Sequence, residues 1–61
     1  MFKPGEEVLV AIDKNKKIYS KAKIINHLTG TIYYSIEFNS TPHVYNIYPE
    51  DRIKYPELSD N

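Results

Sequence analysis

The stretch that decides the fold is IYYSIEF, residues 32–38. β-Branched and aromatic residues dominate this segment, and both classes are enriched in strands. Alternate residues of a strand lie on opposite faces, so one face would present Tyr34, Ile36 and Phe38. We therefore expect a strand here, with these three side chains directed into a core.

Four further short strands are predicted around this segment. Apolar alternation places them at residues 8–12, 18–25, 44–48 and 52–54. Turn-forming residues separate them at 13–17, 28–31 and 39–42, and Pro-Glu-Asp predicts a helical turn at 49–51. Strands at roughly ten-residue spacing without a helical period are typical of small all-β folds.

We predict an all-β domain at residues 1–55, a small five-stranded antiparallel barrel, followed by a flexible tail at residues 56–61. Closure into a barrel would remove exposed strand edges. The side chains expected in its core are Val8, Val10, Ala22, Ile24, Tyr34, Ile36, Phe38 and Ile53.

Composition restricts the classes of function. The chain has 61 residues and no net charge. Because it has no cysteine and only two histidines, disulfide bonds and a zinc site of about four Cys or His ligands are not expected. Its longest apolar run, residues 8–12, is far shorter than the roughly 20 residues of a membrane span. The N-terminal residues lack the pattern of a secretory signal. We expect an intracellular protein that does not bind membranes.

Catalysis is not expected either. No nucleophile motif surrounds the serines or histidines, and two glycines cannot form a phosphate-binding loop. A core this small should leave no cavity of the ~300 Å³ or more that is usual for ligand sites. We predict a protein that is not an enzyme and has no cofactor and no metal.

Eight aromatic residues are the unusual feature of the sequence. Several fit the core, but Tyr19, Tyr33, Tyr45 and Tyr48 fall on the opposite face or at the rim of the predicted barrel. Aromatic rings with a polar end are suited to covering the ends of a barrel or to contacting a partner.

Four segments in order resemble the Tudor and chromo-barrel domains of the Royal superfamily: FKPGEEVLV at 2–10, IYSKAKI at 18–24, YSIEF at 34–38 and PEDRI at 49–53. The resemblance extends over residues 2 to 54. It implies a five-stranded barrel that acts as a non-catalytic, chromatin-associated reader in the nucleus, within a larger chromatin protein or complex. Many such domains hold a methylated lysine or arginine in a cage of aromatic rings.

Transferred by position, the resemblance implies a partial cage of Asp13, Tyr19, Phe38 and Tyr45. Phe38 matches the aromatic residue that ends the third strand of the family, Tyr19 and Tyr45 are substitutes near two other cage positions, and Asp13 would supply charge. A methylammonium group gains from lying over ring faces. The ligand would be a histone tail or another peptide. Methylation-dependent binding is the expectation to be tested.

Two alternatives remain open. Five lysines in and after the first turn, beside Tyr19, could bind RNA or single-stranded nucleic acid by phosphate attraction and stacking. These are Lys14, Lys16, Lys17, Lys21 and Lys23. The other alternative is a plain protein–protein adaptor that docks a larger protein through an exposed edge strand or a tyrosine rim, without reading a modification. Its candidate residues are Tyr33, Tyr48 and Tyr55.

Overall fold

The computed structural model describes residues 1–57. Its elements are β1 (Glu7–Ala11), β2 (Tyr19–His27), β3 (Tyr33–Phe38), β4 (Tyr45–Pro49), a 3₁₀ turn (Glu50–Arg52) and β5 (Ile53–Lys54). Each predicted strand is present, with its bounds shifted by at most two residues. Residues 58–61, most of the predicted tail, lie outside the described residues.

The five strands form one antiparallel sheet in the order β4-β3-β2-β1-β5. The prediction of an all-β domain with five antiparallel strands is therefore confirmed. The sheet is not closed into a barrel, because β4 and β5 are its two edges and no ladder joins them in the described residues. The predicted closure would have removed these edges, whereas the open sheet leaves both of them in place.

One face of the curved sheet forms the core. Cross-strand pairs such as Val8 with Ala22, Ile24 with Ile36 and Val10 with Ile53 place apolar side chains on this face. Burying one such aliphatic side chain contributes about 1.5 to 3 kcal/mol. The buried residues are Val8, Val10, Ala11, Ala22, Ile24, Tyr34, Ile36 and Ile53. All predicted core residues except Phe38 are buried, and Phe38 is partly buried against the core.

The end of β1 departs from the predicted alternation. Ile12 was expected to continue the strand, but β1 ends at Ala11 and Ile12 is 46% exposed. Ala11 itself is fully buried although it lies on the outer face, opposite Tyr19. At this end of β1, Arg52 donates from Nε to the Ala11 carbonyl at 2.9 Å. A residue 41 positions away therefore contacts the backbone at the position where the predicted alternation fails.

A register shift between Ile24 and Asn26 interrupts the β2–β3 ladder. The extra residue of this β-bulge brings His27 opposite Tyr34, and their rings lie 4.8 Å apart. Bulges bend a strand and increase its twist. The long strand β2 thereby curves around the core and pairs with both β1 and β3. Within residues 1–57, no helix is long and apolar enough to cross a membrane.

Candidate functional site

Asp13 organises the turn between β1 and β2. Its carboxylate accepts hydrogen bonds from the backbone N–H groups of Ile18 at 2.8 Å and Lys17 at 2.9 Å. The bond from Ile18 is the largest cause that lowers the pKa of Asp13. The cage hypothesis requires the Asp13 carboxylate to face a ligand. In the structure this carboxylate already accepts hydrogen bonds from two N–H groups of its own loop.

Tyr19 begins β2 on the outer face of the sheet, opposite Ala11. The ammonium group of Lys54 lies 4.2 Å from the centroid of its ring. A cation over a ring face is attracted by the ring quadrupole. One face of Tyr19 therefore holds an ammonium group supplied by the chain itself.

Phe38 ends β3 opposite Ala22, on the core face. Its ring contacts Tyr48 edge-to-face, with centroids 5.8 Å apart, and Arg52 lies 5.4 Å from the centroid of Tyr48. Tyr48 is the aromatic neighbour that the predicted cage omitted. Its place opposite Tyr34 on the core face follows from the β3–β4 register, which the sequence does not specify.

Tyr45 lies on the outer face, opposite Glu37, and is 58% exposed. Tyr19 and Tyr45 thus share one face of the sheet, whereas Phe38 lies on the other. In the described part of the chain, Phe38 makes its ring contact with Tyr48. The structure does not bring the rings of Tyr19, Phe38 and Tyr45 together around one point, nor does it bring Asp13 to them.

The five lysines divide into two groups. Lys21 and Lys23 lie on the outer face of β2, where Lys23 stands between Glu7 and Glu37 in the register. The other three lie in the β1–β2 turn. One of them, Lys16, donates from Nζ to the Asp51 carboxylate at 3.4 Å. Carboxylates therefore interrupt the lysine-rich region, and its positive charge is partly compensated.

One hydrogen bond shows which backbone groups of β4 point away from β3. The Glu50 N–H donates to the Ile32 carbonyl at 2.7 Å. Residues of an antiparallel pair alternate between bonded and non-bonded positions. Asn46 and Tyr48 therefore bond to β3, whereas the backbone N–H and C=O groups of Tyr45 and Ile47 point away from it. The Ile47 side chain is also 52% exposed.

An open cleft lies beside the 3₁₀ turn. Its volume is about 520 Å³, and its lining residues are Phe2, Ile32, Glu50, Asp51 and Ile53. The sequence-based expectation concerned a cavity of ligand size within the core, and this open cleft is a different feature. The cleft is not inside the core but between the N-terminal segment, the β2–β3 loop and the 3₁₀ turn, so the small size of the core does not limit it.

In the range 1–57, no group of three or more His, Asp or Glu side chains is placed to hold a metal ion.

The candidate site is the combination of the β4 edge with the exposed aromatic and aliphatic side chains beside it. Comparisons with protein-family models, with curated proteins and with solved structures find no match to this chain.

Proposed function

We propose that this chain is a non-catalytic protein-binding module that takes an extended peptide segment onto the free edge of β4. The observation that supports the proposal best is the unpaired backbone of this edge. An exposed edge strand is a template for a further strand, and this mode of peptide recognition obtains its affinity from main-chain hydrogen bonds.

The chemistry of the edge determines how a peptide would bind. Tyr45 and Ile47 each offer one outward N–H and one outward C=O, and Pro49 ends the series because it has no N–H. The added strand would therefore run over about two residue pairs and place alternate side chains on the outer face. There it meets Tyr45, Ile47 and Tyr33, all of which are exposed. These side chains favour a peptide with apolar residues at alternate positions.

The kinship with Tudor and chromo-barrel domains, the chromatin association and the nuclear location belong to the same proposal. Their support is the resemblance over residues 2–54, and a histone tail is the peptide it suggests. Recognition of a methylated lysine or arginine has weaker geometric support. Tyr19 and Tyr48 already lie next to cations of the chain, Lys54 and Arg52, so an incoming methylammonium group would have to displace them.

Nucleic-acid binding through the lysines is also less well supported than peptide binding. Lys16 pairs with the Asp51 carboxylate, Lys23 has Glu7 and Glu37 as its register partners, and the chain has no net charge. Proteins that depend on phosphate contacts concentrate positive charge on one face. A phosphate-binding surface would also show affinity that falls steeply with salt concentration.

The proposal is tested by NMR titration of the labelled chain with a panel of histone-tail peptides, each unmodified and trimethylated, and with a single-stranded oligonucleotide. We expect amide shifts at residues 45–49 and equal affinity for the two forms of a bound peptide. Shifts at Tyr19 and Phe38 with the methylated form alone would support a cage instead. Shifts at Lys21 and Lys23 with the oligonucleotide, lost in high salt, would support nucleic-acid binding.

A matched pair of variants separates the backbone from the side chain. Ile47→Pro removes an outward N–H but no ladder bond, and proline is tolerated on edge strands. Ile47→Ala keeps that N–H and removes the side chain. Since each 1.4 kcal/mol is tenfold in affinity, loss of one edge hydrogen bond should weaken Ile47→Pro by about threefold to tenfold relative to Ile47→Ala. Equal affinities of two folded variants would contradict strand addition.

A further inference from the structure

We propose that the cleft beside the 3₁₀ turn is a second binding site, and that it takes a lysine side chain of a partner protein. This site is separate from the β4 edge and does not depend on strand addition there. Its walls combine an apolar surface with two carboxylates, a combination that matches an ammonium group on an aliphatic stem.

The apolar wall is held in place before any ligand arrives. The Phe2 ring packs edge-to-face on Tyr34 at 5.6 Å and lies 4.9 Å from the ring of Tyr55. Its backbone N–H also donates to Tyr34 Oη at 3.4 Å. A wall fixed by these contacts loses little conformational freedom when a ligand binds.

The floor combines a buried and an exposed isoleucine. Ile53 belongs to the core cluster, whereas the Ile32 side chain is 58% exposed. The Glu50 N–H bond to the Ile32 carbonyl, 2.7 Å long, attaches the acidic turn to this floor. Glu50 and Asp51 line the same cleft as these isoleucines, so their side chains adjoin an apolar surface that can receive a methylene chain.

Charge complementarity selects the occupant. The two charged residues that line the cleft are both acidic. An anionic ligand would be repelled, and a neutral apolar ligand would cover carboxylates without giving them a partner, which is unfavourable. A lysine places its stem on apolar surface and keeps its charged end at the polar rim. The volume of about 520 Å³ lies within the range of about 300 to 1,000 Å³ of ligand sites.

The chain already supplies a weak competitor for this site. Lys16 Nζ lies 3.4 Å from Asp51 Oδ2, and the two side chains are 45% and 67% exposed. Exposed ion pairs of this kind contribute little and exchange readily with solvent. A ligand ammonium group would take the place of Lys16 at Asp51, so removal of Lys16 should strengthen binding.

The test is NMR titration with n-pentylammonium, with 1-pentanol as the neutral probe of equal length. We expect saturable shifts at Glu50, Asp51 and Ile53 with the cation, and at least fivefold weaker binding of the alcohol, since ion pairing and hydrogen bonding to charged groups favour the cation. Equal binding of the two probes would overturn the proposal. Tighter binding of n-butylguanidinium than of n-pentylammonium would overturn the assignment to lysine.

Charge variants with matched controls locate the site. Glu50→Gln and Asp51→Asn should each weaken n-pentylammonium binding by about threefold, whereas Glu57→Gln, which makes the same charge change outside the cleft, should leave it unchanged. Lys16→Gln should strengthen binding by about twofold to fivefold, and Lys14→Gln, in the same turn, should not. If Lys14→Gln strengthens binding as much as Lys16→Gln, the gain in affinity comes from the change in net charge. The proposal that the ligand replaces Lys16 at Asp51 would then be wrong. Ile47→Pro should bind n-pentylammonium with unchanged affinity. A failure of the strand-addition proposal can therefore be told apart from a failure of the lysine-site proposal.

Discussion

The two edges of the sheet differ in how much they offer to another strand. The β5 edge has two residues, Ile53 and Lys54, and Pro56 follows shortly after. The β4 edge has five residues, Tyr45–Pro49, with exposed apolar side chains on its outer face. Short length, lysine and proline are the features by which proteins protect an edge from association. The β5 edge combines these features, so of the two edges within residues 1–57 the β4 edge is the less protected one.

The largest expected effect contrasts one isoleucine from each edge. Ile53→Ala deletes a side chain that is buried in the core, and such deletions cost about 2 to 5 kcal/mol. Ile47→Ala removes an exposed side chain and should change stability by no more than about 0.5 kcal/mol. Chemical denaturation of both variants measures this difference. Similar losses in the two variants would show that the edges are equally integrated into the core.

The next effect concerns Arg52, which lies just before β5 and contacts both β1 and the edge strand β4. Its Nε donates to the Ala11 carbonyl at 2.9 Å, and its guanidinium lies 5.4 Å from the Tyr48 ring centroid. Loss of both contacts in Arg52→Ala should cost about 1 to 3 kcal/mol of unfolding free energy. Arg52→Lys keeps the charge but lacks Nε and the planar fork, so it should recover less than half of the loss. Full recovery by lysine, measured by thermal unfolding, would assign the effect to charge alone.

A smaller effect is expected at the pair of Lys54 and Tyr19 on the β5 edge. Lys54→Ala should lower the unfolding free energy by about 0.5 to 1 kcal/mol, because an exposed cation–π contact is lost. Lys54→Arg can keep the contact and serves as the control. In the background of Tyr19→Leu, the alanine substitution should have a smaller effect. An equal effect in both backgrounds would mean that the ring contributes nothing.

The smallest effect is a pH dependence next to the β5 edge. Tyr55 donates from its hydroxyl to Glu6 at 2.7 Å, and this bond is the largest cause that lowers the pKa of Glu6 below 4.5. A carboxyl group with a lowered folded pKa stabilises the fold above its unfolded pKa, and this contribution is lost as pH falls through the folded value. Asp13, with its pKa below 3.8, acts with the same sign.

Tyr55→Phe should raise the pKa of Glu6 toward its ordinary value, which an NMR titration of its side-chain carboxyl would show. Stability should then fall less between neutral pH and about pH 3 than in the parent chain. Tyr33→Phe, at an exposed tyrosine on β3, is the control and should leave the titration of Glu6 unchanged. An unaltered Glu6 titration in Tyr55→Phe would remove the role assigned to the hydroxyl.

The sequence predicts the strands and most of the core because alternation is a local property. Tyr34, Ile36 and Ile24 are buried as their patterns indicate. The errors occur where distant segments meet. Ala11 is buried at a place that Arg52 reaches from 41 positions away, and Ile12 is exposed because the strand ends before it. The closure of the sheet depends on its curvature, which no local pattern contains.

The candidate site could be predicted only in part. Eight aromatic residues in a short chain predict a binding surface, which stays a prediction, and Tyr45 is exposed as its predicted place outside the core requires. The partners of each ring are set by strand register and by cations from other elements. Examples are Lys54 at Tyr19 and Tyr48 at Phe38. The cleft of Phe2, Ile32 and Glu50 joins three segments and has no signature in the sequence.

The strand order also has a consequence for the sequence of folding events. Three of the four ladders join neighbouring strands through short turns, whereas β1 and β5 pair residues such as Leu9 and Lys54, 45 positions apart. Closing a long loop costs more chain entropy than closing a hairpin. We expect the β1–β4 meander to form first and β5 to pair with β1 last. Brief detachment of β5 would then uncover β1. We therefore expect the short β1–β5 ladder to open first and to set the rate at which the domain unfolds.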